Sequence, residues 1–295
     1  MRSLVAVDWG TTSLRAARIA PDGAVLEERA APRGILSVPP GGFPSVLQET
    51  CGDWLADPAA LCLVSGMAGS RQGWREAPYC ACPAGFGEIA RSLCWIEPDR
   101  IAVVPGLSCE ARGVPDVMRG EEVQVFGALE LLPARAARIV LPGTHSKWVE
   151  VADARVQSFA TFMSGEFYAL LRQHSILART LPAEDGELHE DAFTRGVRHA
   201  QESGSLLHAA FSARTLALFE RVPAQEMPSY LSGLVIGEEL RAAAPGASEL
   251  VLVGSAALTR RYALALQELG CSSRSFGAEA TWRGLHALAR TLENA

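Results

Sequence analysis

The sequence predicts an α/β protein of two domains, each opening on a β-meander, and three observations lead there. Its 295 residues exceed one ordinary core and suit two domains of roughly 100 to 200 residues each. Short apolar strands alternate with helical stretches through the first half, the pattern of a sheet covered by helices. Finally, the turn Gly10-Thr11-Thr12-Ser13 recurs as Gly143-Thr144-His145-Ser146, 133 residues later. Such a repeat implies a duplicated unit with a cleft between the copies.

The first copy reads as strand Leu4 to Val7, turn Asp8 to Ser13, strand Leu14 to Ile19, turn Pro21 to Gly23 and strand Ala24 to Ala30. A helix is expected from Phe43 to Leu55, a strand from Leu61 to Val64 ending in Ser65-Gly66, a helix from Gly85 to Cys94 and a strand from Ile101 to Val104. Near Arg119 a helix begins with Glu121 and Glu122 in its first turn, where the macrodipole favours acids, and Pro133 closes it. The second copy opens with Arg138 to Leu141, the glycine turn, a strand to Val151, the turn Asp153 to Arg155 and a strand from Val156 to Thr161. From Phe167 to Ala242 the pattern is largely helical. A buried-type strand, Glu249 to Val253, ends at Gly254-Ser255, and helices follow at Ala256 to Leu269 and Thr281 to Leu292. The repeat places the domain boundary near residue 134, giving domains 1–134 and 135–295.

Composition excludes several classes. An apolar share of 48% with 20% charged residues supplies two cores. The net charge of -6 argues against a general nucleic-acid surface. No secretory segment and no apolar run near the ~20 residues of a membrane span is present, so a soluble, cytoplasmic protein is expected. Seven cysteines at unpaired spacings argue against a disulfide framework, and Cys80 and Cys82 have no second Cys/His pair at zinc-ligand spacing. His189, His199 and His208 read as surface or helix residues, and no histidine is assigned to a metal. Of the 27 basic residues only Lys147 is a lysine, which suggests that its turn wants a compact ammonium.

Neither a Gly-x-x-x-x-Gly-Lys-Ser/Thr loop nor a Gly-x-Gly-x-x-Gly turn after a strand occurs. If the chain binds ATP, two small-residue hairpins must serve, because consecutive backbone N–H groups at tight turns form anion-binding concavities. In the first, Gly10 allows close approach of a phosphate. Thr11, Thr12 and Ser13 add hydroxyls, Asp8 can hold Mg²⁺ through water, and Arg15 can reach an outer phosphate oxygen.

These segments resemble a known family. Asp8 to Arg15 is similar to the first phosphate motif of the sugar kinase, Hsp70 and actin superfamily, Gly143 to Lys147 to its second, and Val251 to Ser255 to its adenosine motif. More narrowly, Met118 to Glu122, Pro142 to Val149, Phe162 to Glu166, His174-Ser175 and Ser229 to Leu234 together resemble the 2-dehydro-3-deoxygalactonokinase family across nearly the whole chain. The resemblance implies two ribonuclease-H-like (actin-like ATPase) domains. It also implies a cytoplasmic kinase using ATP and Mg²⁺ to phosphorylate a small sugar acid, acting on neither nucleic acid nor membrane, with a homodimer compatible.

By the same resemblance, Asp8, Gly10 to Ser13, Arg15, Gly143, Thr144, His145, Ser146, Lys147, Gly254 and Ser255 would hold the nucleotide, with Asp8 on the metal. The superfamily's second motif usually begins with an aspartate; the aligned residue here is Leu141, so Lys147 would supply charge on that side. Glu121 and Glu122 resemble the Glu-Glu-Ala segment of exopolyphosphatases, which makes Glu122 the first choice for the base, with Glu121 and Asp116 behind it. A sugar acid calls for an arginine. Arg71 and Arg119 are the candidates, and Trp74, Phe162 and Glu166 are expected to line the pocket. A kinase for another 2-keto-3-deoxy acid, a phosphohydrolase of the superfamily and a non-enzymatic nucleotide-binding module remain open.

Overall fold

A computed structural model describes residues 2–132, 134–244, 246 and 249–294. Two compact units emerge from the pattern of contacts. The first combines Met1–Ala137, Val149–Ala160 and Phe276–Ala295; the second combines Arg138–Trp148 and Thr161–Ser275.

The first meander forms as β1 (Leu4–Trp9), β2 (Leu14–Ile19) and β3 (Val25–Ala31). Beyond it come α1 (Phe43–Cys51), β4 (Leu61–Gly66), β5 (Tyr79–Ala81) and α2 (Phe86–Arg91). Next are β6 (Cys94–Glu97), β7 (Ile101–Val103), β8 (Gly106–Ala111), β9 (Val114–Met118) and α3 (Glu121–Leu131). The main sheet runs β3-β2-β1-β4-β7-β6, and a small sheet runs β5-β8-β9. β1 is antiparallel to β2 and parallel to β4, so Asp8 stands level with both Arg15 and Ser65. Both strands are apolar almost throughout because the central strands of such a sheet are covered on both faces.

Several sequence expectations need correction here. The helix expected to Leu55 stops at Cys51, with Gly52 as its C-cap and a separate 3₁₀ turn at Trp54–Ala56. The helix expected to Cys94 ends at Arg91, because Cys94 begins β6. The β8–β9 hairpin was not foreseen. Its turn, Arg112-Gly113, has φ of 54° and 77°, and an arginine in the left-handed region is not a residue that announces such a turn. The stop at Pro133 lies outside the described residues.

The second meander is β10 (Ala137–Leu141), β11 (Ser146–Ala152) and β12 (Arg155–Phe162). Then follow α4 (Ser164–His174), α5 (Glu190–Ser203), α6 (Leu206–Ala209), α7 (Ser212–Leu218) and α8 (Met227–Ala243). The chain finishes with β13 (Leu250–Val253), α9 (Ala256–Glu268), β14 (Ser273–Phe276) and α10 (Glu279–Glu293). This sheet has the order β12-β11-β10-β13-β14, with β10 parallel to β13. The expected helical stretch is thus five helices, broken at such points as Gly204, whose φ is 68°.

Each unit contains a helix pair crossing on glycine. A Cβ on Gly127 of α3 would lie 1.7 Å from the Ala280 carbonyl oxygen of α10, and one on Gly284 of α10 1.8 Å from that of Val123. In the second unit, a Cβ on Gly196 of α5 would sit 2.2 Å from the Tyr230 oxygen, and one on Gly233 of α8 2.0 Å from the Phe193 oxygen. Backbone therefore packs on backbone, a contact no larger residue permits. Among the described residues no helix is long and apolar enough to cross a membrane.

Candidate active site

In the first unit the chemistry gathers where β1, β4 and α3 end or begin. Gly10 N–H donates to the Ser13 oxygen at 2.9 Å, closing the turn, and leaves Thr11, Thr12 and Ser13 exposed. Loop residues brace it: a Cβ on Gly34 would fall 2.3 Å from the Thr11 oxygen. Arg15 donates to Asp8 Oδ2, and its guanidinium lies 5.9 Å from the Trp282 ring centre.

Two glycines let α3 approach Asp8. Gly66 has φ +90°, and a Cβ there would lie 2.8 Å from the Trp9 oxygen and 3.3 Å from Asp8 Oδ1. Gly120 has φ +103°, and a Cβ there would press within 3.2 Å of Gly66 Cα. Both have a backbone that L side chains rarely adopt; a methyl group has no room at Gly66 and only a tight fit at Gly120.

The acids that open α3 fold back onto its N-terminus. Glu122 is 0% exposed; its Oε2 accepts the Gly120 N–H at 2.7 Å, and its Oε1 accepts the Ser65 hydroxyl at 3.4 Å. Burial first, and then the neighbouring Glu121 charge, push its carboxyl up to about 8. Glu121 is only half-buried, and its Oε2 accepts the Arg119 N–H at 3.0 Å. Asp116 stands on β9, where its Oδ1 accepts the Val117 N–H at 2.7 Å.

The two arginine candidates differ sharply. Arg71 has an 87% exposed side chain and pairs loosely with Glu76 at 3.5 Å. Arg119 lies 4.3 Å from the Tyr79 ring centre and donates Nη2 to the Ala77 oxygen at 2.8 Å, while its Nε and Nη1 are buried without a hydrogen-bond partner. Trp74 packs against Trp9 and Phe43, each at 6.3 Å between ring centres, and with Phe43 walls a cavity of about 510 Å³.

In the second unit, Thr144 and His145 are exposed at the tip of the glycine turn, while Ser146 and Lys147 are buried, Lys147 to 5%. Lys147 Nζ donates to the His145 oxygen at 3.4 Å, so the ammonium is tied to the turn's own backbone. His145 Nε2 lies 2.6 Å from Glu166 Oε2, and Glu166 N–H donates to the Thr144 oxygen at 3.1 Å. Phe162 packs at the edge of this unit's core. Leu141, where the aspartate is missing, is buried.

Other residues of this unit pack around the turn. Gly165 comes so close that a Cβ would lie 2.5 Å from the Gly143 oxygen. Beneath the turn, Ser146 Oγ and Tyr262 Oη are 2.9 Å apart, Tyr262 donates to Glu239 Oε2 at 2.7 Å, and Trp148 Nε1 donates to Glu239 Oε1 at 2.8 Å. Burial raises the Glu239 carboxyl, opposed by these hydrogen bonds. Tyr262 and Glu239 sit about 100 residues beyond the turn, with nothing in their local sequence to mark them; Gly165 lies inside the segment Phe162 to Glu166 and was legible in it. A cavity of about 260 Å³ adjoins the turn, walled by Gly143, Gly165, Tyr168, Val235, Ala257 and Leu258. Gly254 and Ser255 stand just before these last two, with Ala256 between, and Gly254 nears Pro142, whose oxygen would lie 3.5 Å from a Cβ there.

This constellation can be set against known proteins. Residues 8–288 match the model of the family described as 2-keto-3-deoxy-galactonokinase. The chain belongs to this family. A relative from Rhizobium meliloti (strain 1021), named probable 2-dehydro-3-deoxygalactonokinase, is 40% identical over 97% of this chain and 96% of its own. The 2-dehydro-3-deoxygalactonokinase of Escherichia coli (strain K12) is 33% identical over 98% of both chains. The crystal structure of a candidate family member from Sinorhizobium meliloti superposes with a TM-score of 0.89 and 38% identity, covering 98% of this chain and 99% of that one. An activator of 2-hydroxyisocaproyl-CoA dehydratase from Clostridium difficile, with bound ADPNP, shares the fold at a TM-score of 0.54 and 12% identity, over 99% and 95% of the two chains. The family match runs from the first glycine turn to α10, so it covers both units.

Proposed function

We propose that the protein is a cytoplasmic ATP-dependent kinase that phosphorylates the 6-hydroxyl of 2-dehydro-3-deoxy-D-galactonate, giving 2-dehydro-3-deoxy-6-phospho-D-galactonate. The observation that carries this reading is the family match across nearly the whole chain, joined to a glycine turn in each unit.

Phosphoryl transfer asks the protein for position and charge more than for covalent chemistry. The cavity beside Gly143, apolar on most of its wall, suits an adenosine moiety, and the exposed backbone of Gly143 to His145 suits phosphates. Lys147 adds charge beneath that turn. In the first unit the exposed turn Gly10 to Ser13 by itself also suits a phosphate, with Arg15 beside it.

The donor set fits Mg²⁺ only in a lean form. Among the described residues no three His, Cys, Asp or Glu side chains form a metal cage. Magnesium, however, is commonly held by one or two carboxylates plus waters and substrate phosphates. Asp8, with Oδ2 on Arg15 and its side chain 18% exposed, would be that carboxylate. When bound, the ion would neutralise charge on the transferring phosphoryl group.

Glu121 is the less buried acid of the pair, and we assign it the acceptor hydroxyl's proton. Glu122 then acts behind it, holding Gly120 and Ser65 in place. Exposed Arg71, able to turn, is the better candidate for the substrate carboxylate, with Arg119 shaping the loop at Gly69. The test is ADP release with a panel of 2-keto-3-deoxy sugar acids and neutral sugars. Turnover stimulated by the galactonate derivative is expected. Turnover without any acceptor would instead favour a phosphohydrolase. Glu121→Gln should cut kcat by roughly 10²-fold or more if it is the base, and Glu122→Gln by much less; the reverse order would return the role to Glu122.

A further inference from the structure

Ser146 belongs to the phosphate turn, yet it is fully buried and faces inward, so its hydroxyl serves the turn rather than a ligand. The hydrogen-bond directions beneath it can be worked out. The Trp148 indole nitrogen only donates, and both oxygens of the Glu239 carboxyl stand as acceptors, Oε1 to the indole and Oε2 to the Tyr262 hydroxyl. Trp148 therefore gives its N–H to Glu239 Oε1, and Tyr262 gives its single proton to Oε2. Tyr262 then has only a lone pair left for Ser146, 2.9 Å away, so the Ser146 proton runs inward. What Ser146 turns toward the turn is a lone pair, and the Gly143 N–H points at it from 3.5 Å.

We propose that Glu239 is a positioning residue for the nucleotide: through Tyr262 it fixes the direction of the Ser146 hydroxyl, and thereby the shape of the Gly143–Ser146 turn. This role rests on the nucleotide reading of that turn given above. It draws α8, α9 and β11 together under one hydroxyl, with Glu239 on the first, Tyr262 on the second, and Trp148 and Ser146 on the third.

Glu239→Gln is a specific probe because Trp148 dictates how the amide must sit. Its oxygen has to face the indole N–H, so its NH₂ faces Tyr262 and donates to it. Tyr262 must then hand its own proton to Ser146, and the Ser146 proton is left without its acceptor in a buried site. That is costly, and removing the hydroxyl relieves it. In Glu239→Gln the KM for ATP should rise roughly tenfold, as expected for one unsatisfied buried group, with kcat within about threefold of wild type. Ser146→Ala alone removes only the long 3.5 Å contact from the Gly143 N–H, so it should raise the KM for ATP by less than Glu239→Gln does. The double variant should recover, its KM for ATP returning to within about threefold of Ser146→Ala. Tyr262→Phe, which cuts the chain of bonds without altering charge, should show the same rise and the same rescue by Ser146→Ala.

Melting temperature measured without nucleotide provides a second readout, in which the same rescue is expected. If the losses of Glu239→Gln and Ser146→Ala simply multiply, Glu239 acts as a packing residue and the proposal is overturned. A wild-type protein whose turnover does not depend on ATP would overturn the functional reading and this role with it. Wild-type kinase activity without rescue would overturn the relay alone.

Discussion

At the scale of single residues, buried charge carries the most information. Glu122 is fully buried, and its carboxyl stands near 8 against an ordinary value of 4.5. Between those values the folded protein holds a proton that the unfolded chain releases, so stability is highest at the acid end and falls as pH rises. The melting temperature should therefore drop from about pH 5 to about pH 8, and Glu122→Gln should flatten that slope. Equal slopes in the two proteins would show that Glu122 ionises normally. Lys147 is a buried cation. Lys147→Met keeps the apolar stem and removes only the ammonium. It should raise the KM for ATP by roughly tenfold or more, the loss expected for a charge-assisted phosphate contact. An unchanged KM would remove the ammonium from nucleotide binding.

At the scale of elements, the position of the α3 acids depends on a contact far from them in sequence. α3 and α10 meet at Gly127 and Gly284 with no space for a methyl group. Gly284→Ala would force the helices apart, and overpacking of this kind typically costs about 1–3 kcal/mol. Because α3 carries Glu121, the same substitution should lower kcat as well as the denaturation midpoint. A stability loss with full kcat would mean that α3 can shift without moving its N-terminus. Gly127 lies in a helix interior, where glycine costs about 1 kcal/mol relative to alanine, so its presence is best explained by this close approach.

For the molecule as a whole, one repeated turn stands in two units with unlike surroundings. The first unit surrounds its turn with carboxylates and arginines; the second surrounds its turn with a buried hydrogen-bonded network and an apolar cavity. ATP that binds only the folded chain should raise its melting temperature, since ligand at a hundredfold its Kd adds about 2.7 kcal/mol. Leu258→Trp, which fills the cavity beside Gly143, should abolish that rise while leaving the unliganded protein folded; a retained rise would place the adenosine elsewhere.

The sequence by itself determined the two meanders and the repeat of their turns, since hydrophobic alternation and glycine placement are local signals. It also picked out the family through motifs in order, and with them Asp8, Gly143 and the Glu121-Glu122 pair. Only the tertiary structure decided which of those groups face solvent and which are buried. Glu122 and Ser146 read as site residues in the sequence, yet both are closed off, because β4 and Gly120 cover the one and Tyr262 the other. Glu239 and Tyr262 left no trace in the sequence, since their roles depend on where α8 and α9 pack rather than on any neighbour in the chain. The Arg112-Gly113 hairpin escaped notice for a different reason: its left-handed arginine follows the pairing of β8 with β9 and not its own preference.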